Sequence, residues 1–183
     1  MKYYGSAALL GMLFLSPAAF AQNGYLGFGM GLANYSDRNS DGYLDYSFND
    51  SDTGINIYGG QKINEYFALE MSYTHFGKQE GSFSFYDTTY DTNVEVFGFG
   101  VSVVGFYPVS DNLNLFLKIG TFDWDVNVNI DSVSGRGNDS ELLLGFGGEF
   151  RFTKKFSLRT AWEMVDIEGA DLDILSVNAQ FNF

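Results

Sequence analysis

The sequence predicts an all-β protein, an eight-stranded, antiparallel, up-and-down transmembrane β-barrel, and three observations support this. The last twelve residues, Leu172 to Phe183, end in a regular alternation, in which positions 175 to 183 carry apolar side chains at every second residue and amides or Ser between them. This is the period of a strand with one lipid-facing side. Aromatic residues make up 18% of the chain, with 22 Gly and only 2 Pro, as aromatic girdles and small lumen-facing positions require. Eight strands of about ten residues, with their turns, use nearly all of the chain after a signal peptide.

The first 21 residues are predicted to be a signal peptide. Lys2 gives a short basic region, residues 7–15 form an apolar core too short to span a bilayer, and Ala19-Phe20-Ala21 is an A-x-A cleavage site. We therefore expect residues 22–183 to form one exported barrel domain in the cell outer membrane of a Gram-negative bacterium. The chain has no Cys, so we expect neither a disulfide nor a lipoprotein anchor.

In the first four predicted strands, apolar side chains alternate with Gly or small polar residues. These strands cover about 24–35, 53–62, 66–76 and 93–107, with a tight turn at 63–65 and long loops at 36–52 and 77–92. The Ser/Phe alternation inside the second loop suggests that its flanking strands continue beyond the membrane. The outward residues are predicted to be Leu26, Phe28, Met30, Leu32, Ile55, Ile57, Phe67, Leu69, Met71, Tyr73, Phe97, Phe99, Val101 and Val103.

The last four predicted strands repeat the pattern over about 113–128, 141–152, 156–165 and 172–183. Turns are expected at 108–111 and 153–155, and loops at 129–139 and 166–171. Four loops on one side and three tight turns on the other fit the even strand count of a bacterial barrel. The outward residues are predicted to include Leu115, Leu117, Ile119, Leu144, Phe146, Phe150, Leu158, Trp162, Met164, Leu175 and Val177.

Charged residues at inward positions are expected to meet inside the lumen. An eight-stranded barrel is just filled by its side chains, so buried charges there must be paired, which favours a plug. A gated ion path is the open alternative. The inward charges are predicted to be Glu70, Glu95, Lys118, Glu149, Arg151, Arg159 and Glu163.

The first long loop contains a spacing typical of a calcium-binding loop. Oxygen ligands at positions 1, 3, 5, 7 and 9, with Gly42 at position 6, match that pattern, whereas position 12 is Phe48 in place of the bidentate Glu. The hypothesis is therefore weak Ca²⁺ binding, and the alternative is an acidic loop rich in Asx turns. The candidate ligands are Asp37, Asn39, Asp41, the backbone carbonyl of Tyr43, and Asp45.

The predicted loops are strongly acidic, and the whole chain has a net charge of −13. This charge excludes nucleic acid as an expected partner and would repel anionic lipopolysaccharide unless divalent cations bridge the two. Only Arg38, Lys78 and Arg136 are basic in these loops. The acidic loop residues are Asp37, Asp41, Asp45, Asp50, Asp52, Glu80, Asp87, Asp91, Asp131, Asp139, Asp166, Glu168 and Asp171.

The sequence does not predict an enzyme. His75 is the only histidine, strand parity points it toward lipid or the interface, and no Ser lies beside it in a recognisable motif. A lipid-modifying enzyme of the outer membrane would need His with Ser and a carboxylate in hydrogen-bond reach, so this alternative is the weakest.

Three stretches resemble the transmembrane domain of the outer membrane protein A family of eight-stranded barrels. They are residues 59–73, residues 107–111, and residues 147–150 running on to 157–159 and Glu163. The resemblance implies an ion pair between Glu70 and Arg159 inside the lumen, and a second pair for Glu149. Since Val104 stands where the family usually has a basic residue, Glu149 is expected to pair with Lys118 or Arg151.

The resemblance implies a monomer, with the terminal Phe183 recognised by the barrel assembly machinery. It does not extend to the family's peptidoglycan-binding domain. The expected function is a structural or surface-interaction role through acidic extracellular loops, with outer-membrane lipid or lipopolysaccharide and a host or phage surface as partners. A small porin-like pore is the alternative.

Overall fold

The computed structural model describes residues 23–37, 51–85, 88–130, 133–167 and 170–183. Each predicted alternating segment forms a strand, and the described residues contain no helix able to cross a membrane. The strands are β1 (Gly24–Asp37), β2 (Ser51–Lys62), β3 (Phe67–Phe85), β4 (Thr88–Ser110), β5 (Leu113–Ile130), β6 (Val133–Arg151), β7 (Phe156–Ile167) and β8 (Ala170–Asn182).

The strands form one closed antiparallel barrel in sequence order, which confirms the predicted fold class. Closure is made by β1 against β8, with Phe28 opposite Ala179 and Leu32 opposite Leu175. A closed sheet pairs every strand on both sides, so no edge is left within the membrane.

The period-two pattern places side chains on the two faces as predicted. Leu26, Phe99 and Leu117 point away from the barrel and are 51%, 61% and 70% exposed, as expected for side chains that contact lipid. The alternate positions are buried in the lumen. Glycines in β1 allow this narrow lumen, since a Cβ at Gly27 would overlap the ring of Tyr58.

The two central hairpins are longer than predicted. Most of the predicted loops at 77–92 and 129–139 is strand, because β3 pairs with β4 up to Phe85 and Thr88, and β5 pairs with β6 up to Ile130 and Val133. The alternation of Ser with Phe in β3 therefore did mark a continuing strand. The ladder shifts between His75 and Lys78, where Gly77 has a φ of 84°, a conformation that favours glycine.

Another boundary also differs from prediction. The turn expected at 108–111 is shifted, since β4 runs to Ser110 with a register shift after Pro108 and the turn itself is Asp111 and Asn112.

Of the candidate calcium ligands, Asp37 is the last residue of β1. The others (Asn39, Asp41, Tyr43 and Asp45) lie outside the described residues, as does the predicted signal peptide.

Candidate functional site

The centre of the lumen holds a buried cluster of charges around Glu70 of β3. Its carboxylate accepts hydrogen bonds from Arg159 Nη1 of β7 at 2.6 Å and from the Tyr25 hydroxyl of β1 at 2.8 Å. Lys118 Nζ of β5 lies 3.1 Å from its other oxygen. The structure therefore brings Glu70 and Arg159 together, as the family resemblance implied.

Lys118 joins this cluster to a second carboxylate, that of Glu163 on β7, with which it forms a close ion pair. The other oxygen of Glu163 accepts a hydrogen bond from Asn56 Nδ2 at 3.2 Å, and Asn56 also donates to Thr74 Oγ1 at 2.8 Å. Five strands (β1, β2, β3, β5 and β7) thus contribute to a single network that crosses the lumen.

Aromatic rings hold the Arg159 guanidinium in place from two sides. Its Cζ lies 3.9 Å from the ring centroid of Phe116 and 4.6 Å from that of Tyr58. Cation–π contacts of this kind are strongest where water is excluded, and Arg159 is 1% exposed. The guanidinium is therefore fixed by packing as well as by charge.

The predicted partners of Glu149 were wrong. Glu149 lies 3.7 Å from Lys62 Nζ of β2 and accepts a hydrogen bond from Gln180 Nε2 at 3.0 Å. Register explains the difference, because Lys118 is level with Gly145 of β6, four residues from Glu149. Arg151 is half-buried and has no ion pair within the described part of the chain.

Buried apolar side chains form two clusters in the lumen. The cluster nearer the extracellular end includes Phe76, Phe122, Leu143 and Ile174, and the Phe76 and Phe122 rings meet edge to face with centroids 5.8 Å apart. The second cluster packs among the charges, since the Tyr25 hydroxyl bonds to Glu70 and the Phe106 ring centroid lies 5.0 Å from Lys62 Nζ. This cluster consists of Tyr25, Tyr58, Ala68, Val104, Phe106, Phe116 and Ala161.

Glu95 was predicted to face inward, and this was wrong. It has the same strand parity as Phe97, so it lies on the outer face of β4, where its carboxylate is 2.8 Å from His75 Nε2. The Gly77 N–H donates to His75 Nδ1 at 3.1 Å, which leaves the ring proton on Nε2 to be donated to Glu95.

The ion pairs of the lumen balance in charge. Glu70, Glu149 and Glu163 face Lys62, Lys118 and Arg159, although Arg159 Nε has no hydrogen-bond partner among the described residues. No group of three His, Cys, Asp or Glu suited to a metal ion occurs among the described residues. Paired charges of this kind are what a filled lumen requires.

Sequence reasoning did not identify Lys62, Tyr25 or Asn56 as members of this network. Lys62 has the inward parity of β2, so its position was available from the sequence, although it lies at the strand end. Tyr25 and Asn56 are neutral, so no charge pattern marks them, although each has the parity of its strand's inward face. Gln180 belongs to the amides that the alternation of the last strand places opposite its apolar face.

Comparison with known proteins agrees with this architecture. Residues 6–183 match the family model described as an outer membrane protein beta-barrel domain. The chain belongs to this family. It is accordingly a β-barrel protein of the cell outer membrane, and its resemblance to the outer membrane protein A barrels is confirmed.

Two relatives of this outer membrane β-barrel protein are named outer membrane protein A. The protein from Yersinia pseudotuberculosis serotype I is 23% identical over 97% of this chain and 54% of its own length. That from Klebsiella aerogenes is 24% identical over 73% of this chain and 40% of its own length. The chain therefore spans about half the length of these relatives or less.

Solved structures of outer membrane barrels share the fold. Neisserial surface protein A superposes with a TM-score of 0.69 at 15% identity, over 88% of this chain and 98% of its own. Ail, the attachment invasion locus protein of Yersinia pestis, gives a TM-score of 0.61 at 14% identity, over 88% of this chain and 99% of its own. At these identities the likeness shows the fold alone.

Proposed function

We propose that the protein is a closed barrel that anchors two long β-hairpins on the cell surface, where they contact another macromolecule. The observation that carries the proposal is the length of the four central strands. β5 continues from Asp123, which is exposed and polar, to Ile130, or roughly 23 Å of strand at about 3.3 Å per residue. Its partner β6 and the β3–β4 hairpin continue in the same way.

The lumen supports anchoring rather than transport. A pore needs a continuous polar path, whereas this lumen has paired charges packed among two clusters of buried apolar side chains. Side chains are expected to fill a barrel of eight strands. Its rigid wall would hold the hairpins at a fixed height above the membrane.

The chemistry of the hairpins favours a cationic partner. Asp123, Asp125 and Asp139 are exposed at their base, and the loops predicted from the sequence carry thirteen acidic residues against three basic ones. The structural neighbour Ail has been solved with the heparin analogue sucrose octasulfate. A polyanion of that kind would be repelled by the acidic hairpins of this chain.

The first test is conductance. The protein in a planar lipid bilayer should show no steady openings, because the lumen is plugged. Stable channels of uniform size would contradict the closed barrel and favour the porin-like alternative.

The second test shortens one hairpin without disturbing the barrel. Residues 126–137 are replaced by Asn-Gly, which forms a tight hairpin turn, so that Asp125 and Asn138, already opposite in register, become the new hairpin end. In zwitterionic nanodiscs, the unmodified protein should bind immobilised polylysine and not immobilised heparin. The deletion removes Asp131 and Arg136 and so leaves the net charge unchanged, and a change in polylysine binding therefore reports the length of the hairpin. The shortened variant presents less contact surface and should bind polylysine more weakly, while keeping the heat-dependent gel shift of a folded barrel.

A matched variant separates charge from length. Replacing Asp123, Asp125 and Asp139 by Asn keeps the hairpin intact and should also weaken polylysine binding. Undiminished binding by the shortened variant would refute the role of the hairpin. Binding to heparin would refute the cationic partner.

A further inference from the structure

Among the three described turns at the periplasmic end of the barrel, one carries all of the positive charge. The three described turns contain four exposed charged side chains, Glu65, Asp111, Lys154 and Lys155. The turn between β6 and β7 (residues 152–155, here the dilysine turn) therefore has a charge of +2, while each of the other two has −1. This contrasts with the acidity of the chain as a whole.

The backbone of the dilysine turn is well ordered. Thr153 Oγ1 accepts hydrogen bonds from the N–H groups of Lys155 and Phe156 at 3.2 and 3.0 Å, and the Phe152 N–H donates to the Phe156 carbonyl at 3.0 Å. Both lysines are exposed, and neither forms an ion pair with another residue that the structure describes. Two unneutralised ammonium groups are thus held side by side at the membrane border.

Phenylalanine rings lie next to the dilysine turn on the lipid-facing side. Phe150 and Phe152 of β6 meet with centroids 5.0 Å apart, and Phe156 meets Phe181 of β8 at 5.2 Å. Phe152 and Phe156 are 64% and 55% exposed. Phenyl rings have no polar atom, so we place these rings at the depth of the hydrocarbon core and the two lysines at the depth of the lipid head groups.

The outer face of β6 leaves room for an acyl chain above these rings. Gly148 follows Phe150 on this face, and a Cβ added there would meet no neighbouring atom closer than 3.9 Å, Leu115 and Thr160 among them. Leu115 also lines an apolar groove of about 700 Å³ that continues past Leu117 and Phe146. The open strip and the groove are therefore continuous at Leu115.

The length of this path suits one membrane leaflet. Half of a hydrocarbon core of about 30 Å, followed along a strand tilted by roughly 40°, corresponds to about six residues. Six residues separate Phe152 from Phe146, so a chain that begins at the head-group level ends in the groove.

We propose that the dilysine turn and the outer face of β6 form a binding site for an anionic phospholipid of the inner leaflet. Lys154 and Lys155 contact the phosphate, and one acyl chain lies over Phe150 and Phe152 toward Gly148. The lysines select for net negative charge, since a zwitterionic head group gains less from them. Each basic residue near an anionic surface gives roughly a fivefold preference.

The test measures which lipids stay with the protein. The protein purified from outer membranes is placed in nanodiscs of phosphatidylglycerol and phosphatidylcholine in equal amounts, and the lipids retained on release are counted by native mass spectrometry. The unmodified protein should retain phosphatidylglycerol in several-fold excess, and the variant K154Q/K155Q should lose most of that excess.

Two further variants keep the result interpretable. K154R/K155R retains the charge and should keep the excess. K78Q/R136Q removes two positive charges from β3 and β6 beyond the opposite membrane border, and it should also keep the excess. Equal retention of the two lipids by the unmodified protein, or equal losses in K154Q/K155Q and K78Q/R136Q, would overturn the site.

Discussion

Replacing Arg159 by Met should strongly destabilise the barrel. The substitution removes the 2.6 Å bond to Glu70 and leaves a carboxylate that is 1% exposed to share Lys118 with Glu163. Met keeps most of the contact with Phe116, so the loss is mainly electrostatic. Removing one partner of a buried ion pair typically costs about 3–5 kcal/mol, and we expect a loss in that range.

The double variant Glu70→Gln, Arg159→Met separates pairing from packing. It removes both charges and leaves Lys118 with Glu163, so the lumen is neutral again. Replacing both partners of a buried pair is often nearly neutral, and the double variant should therefore recover at least about 2 kcal/mol relative to Arg159→Met alone.

The free energy of unfolding can be measured by urea titration in phospholipid vesicles, using the fluorescence of the native tryptophans. Glu95→Gln is the control, because it alters a hydrogen-bond partner of His75 that is one-third exposed and should cost no more than about 1 kcal/mol. The single variants Glu70→Gln and Arg159→Met are measured alongside. If the double variant lost as much stability as the sum of these two losses, the charges would act independently and the network would be refuted.

Two other predictions concern packing of the lumen and its charges. Gly98→Ala should cost about 1–3 kcal/mol or more by overpacking, because its Cβ would lie 2.3 Å from the backbone carbonyl oxygen of Asp123 and 2.8 Å from the Phe122 ring. Gly105→Ala on the outer face of the same strand makes only an ordinary contact at 3.7 Å and should stabilise by up to about 1 kcal/mol. Urea titration of both variants checks this. The second prediction concerns an apolar lumen, made in the variant Glu70→Leu, Lys118→Met, Arg159→Met, Glu163→Leu. The free energy of unfolding of this variant should be nearly unchanged, but a smaller fraction of its chains should refold to the compact species on a gel.

The fold and the content of the lumen could be predicted from the sequence because both depend on a period of two. Val177 and Asn178 are adjacent in sequence and face lipid and lumen, respectively, and alternation alone assigns them. The same rule placed Glu70, Lys118, Arg159 and Glu163 inside. The rule was applied wrongly at Glu95, which was predicted to face inward although it has the outward parity of Phe97.

Pairing across the lumen could not be predicted in the same way. Which inward residues meet depends on the shear of the barrel, that is, on how far each strand is displaced along its neighbours. Lys118 and Glu149 are both inward, yet they sit at different heights because Lys118 is level with Gly145. Lys62 reaches Glu149 from β2, a strand that is not adjacent to β6, and no local sequence pattern predicts that contact.

The dependence of pairing on shear also suggests what the charges contribute. Buried ion pairs add little stability compared with apolar side chains of similar volume, so stability does not explain their presence. A slip of two residues between neighbouring strands would keep every side chain on its proper face but move it by about 7 Å. Glu70 would then be out of reach of Lys118 and Arg159. Because Lys118 keeps its pair with Glu163, the charges buried unpaired would be Glu70 and Arg159. Hydrophobic alternation cannot discriminate between these two registers, whereas the charge network can, and we infer that it fixes the register on which the height of the surface hairpins depends.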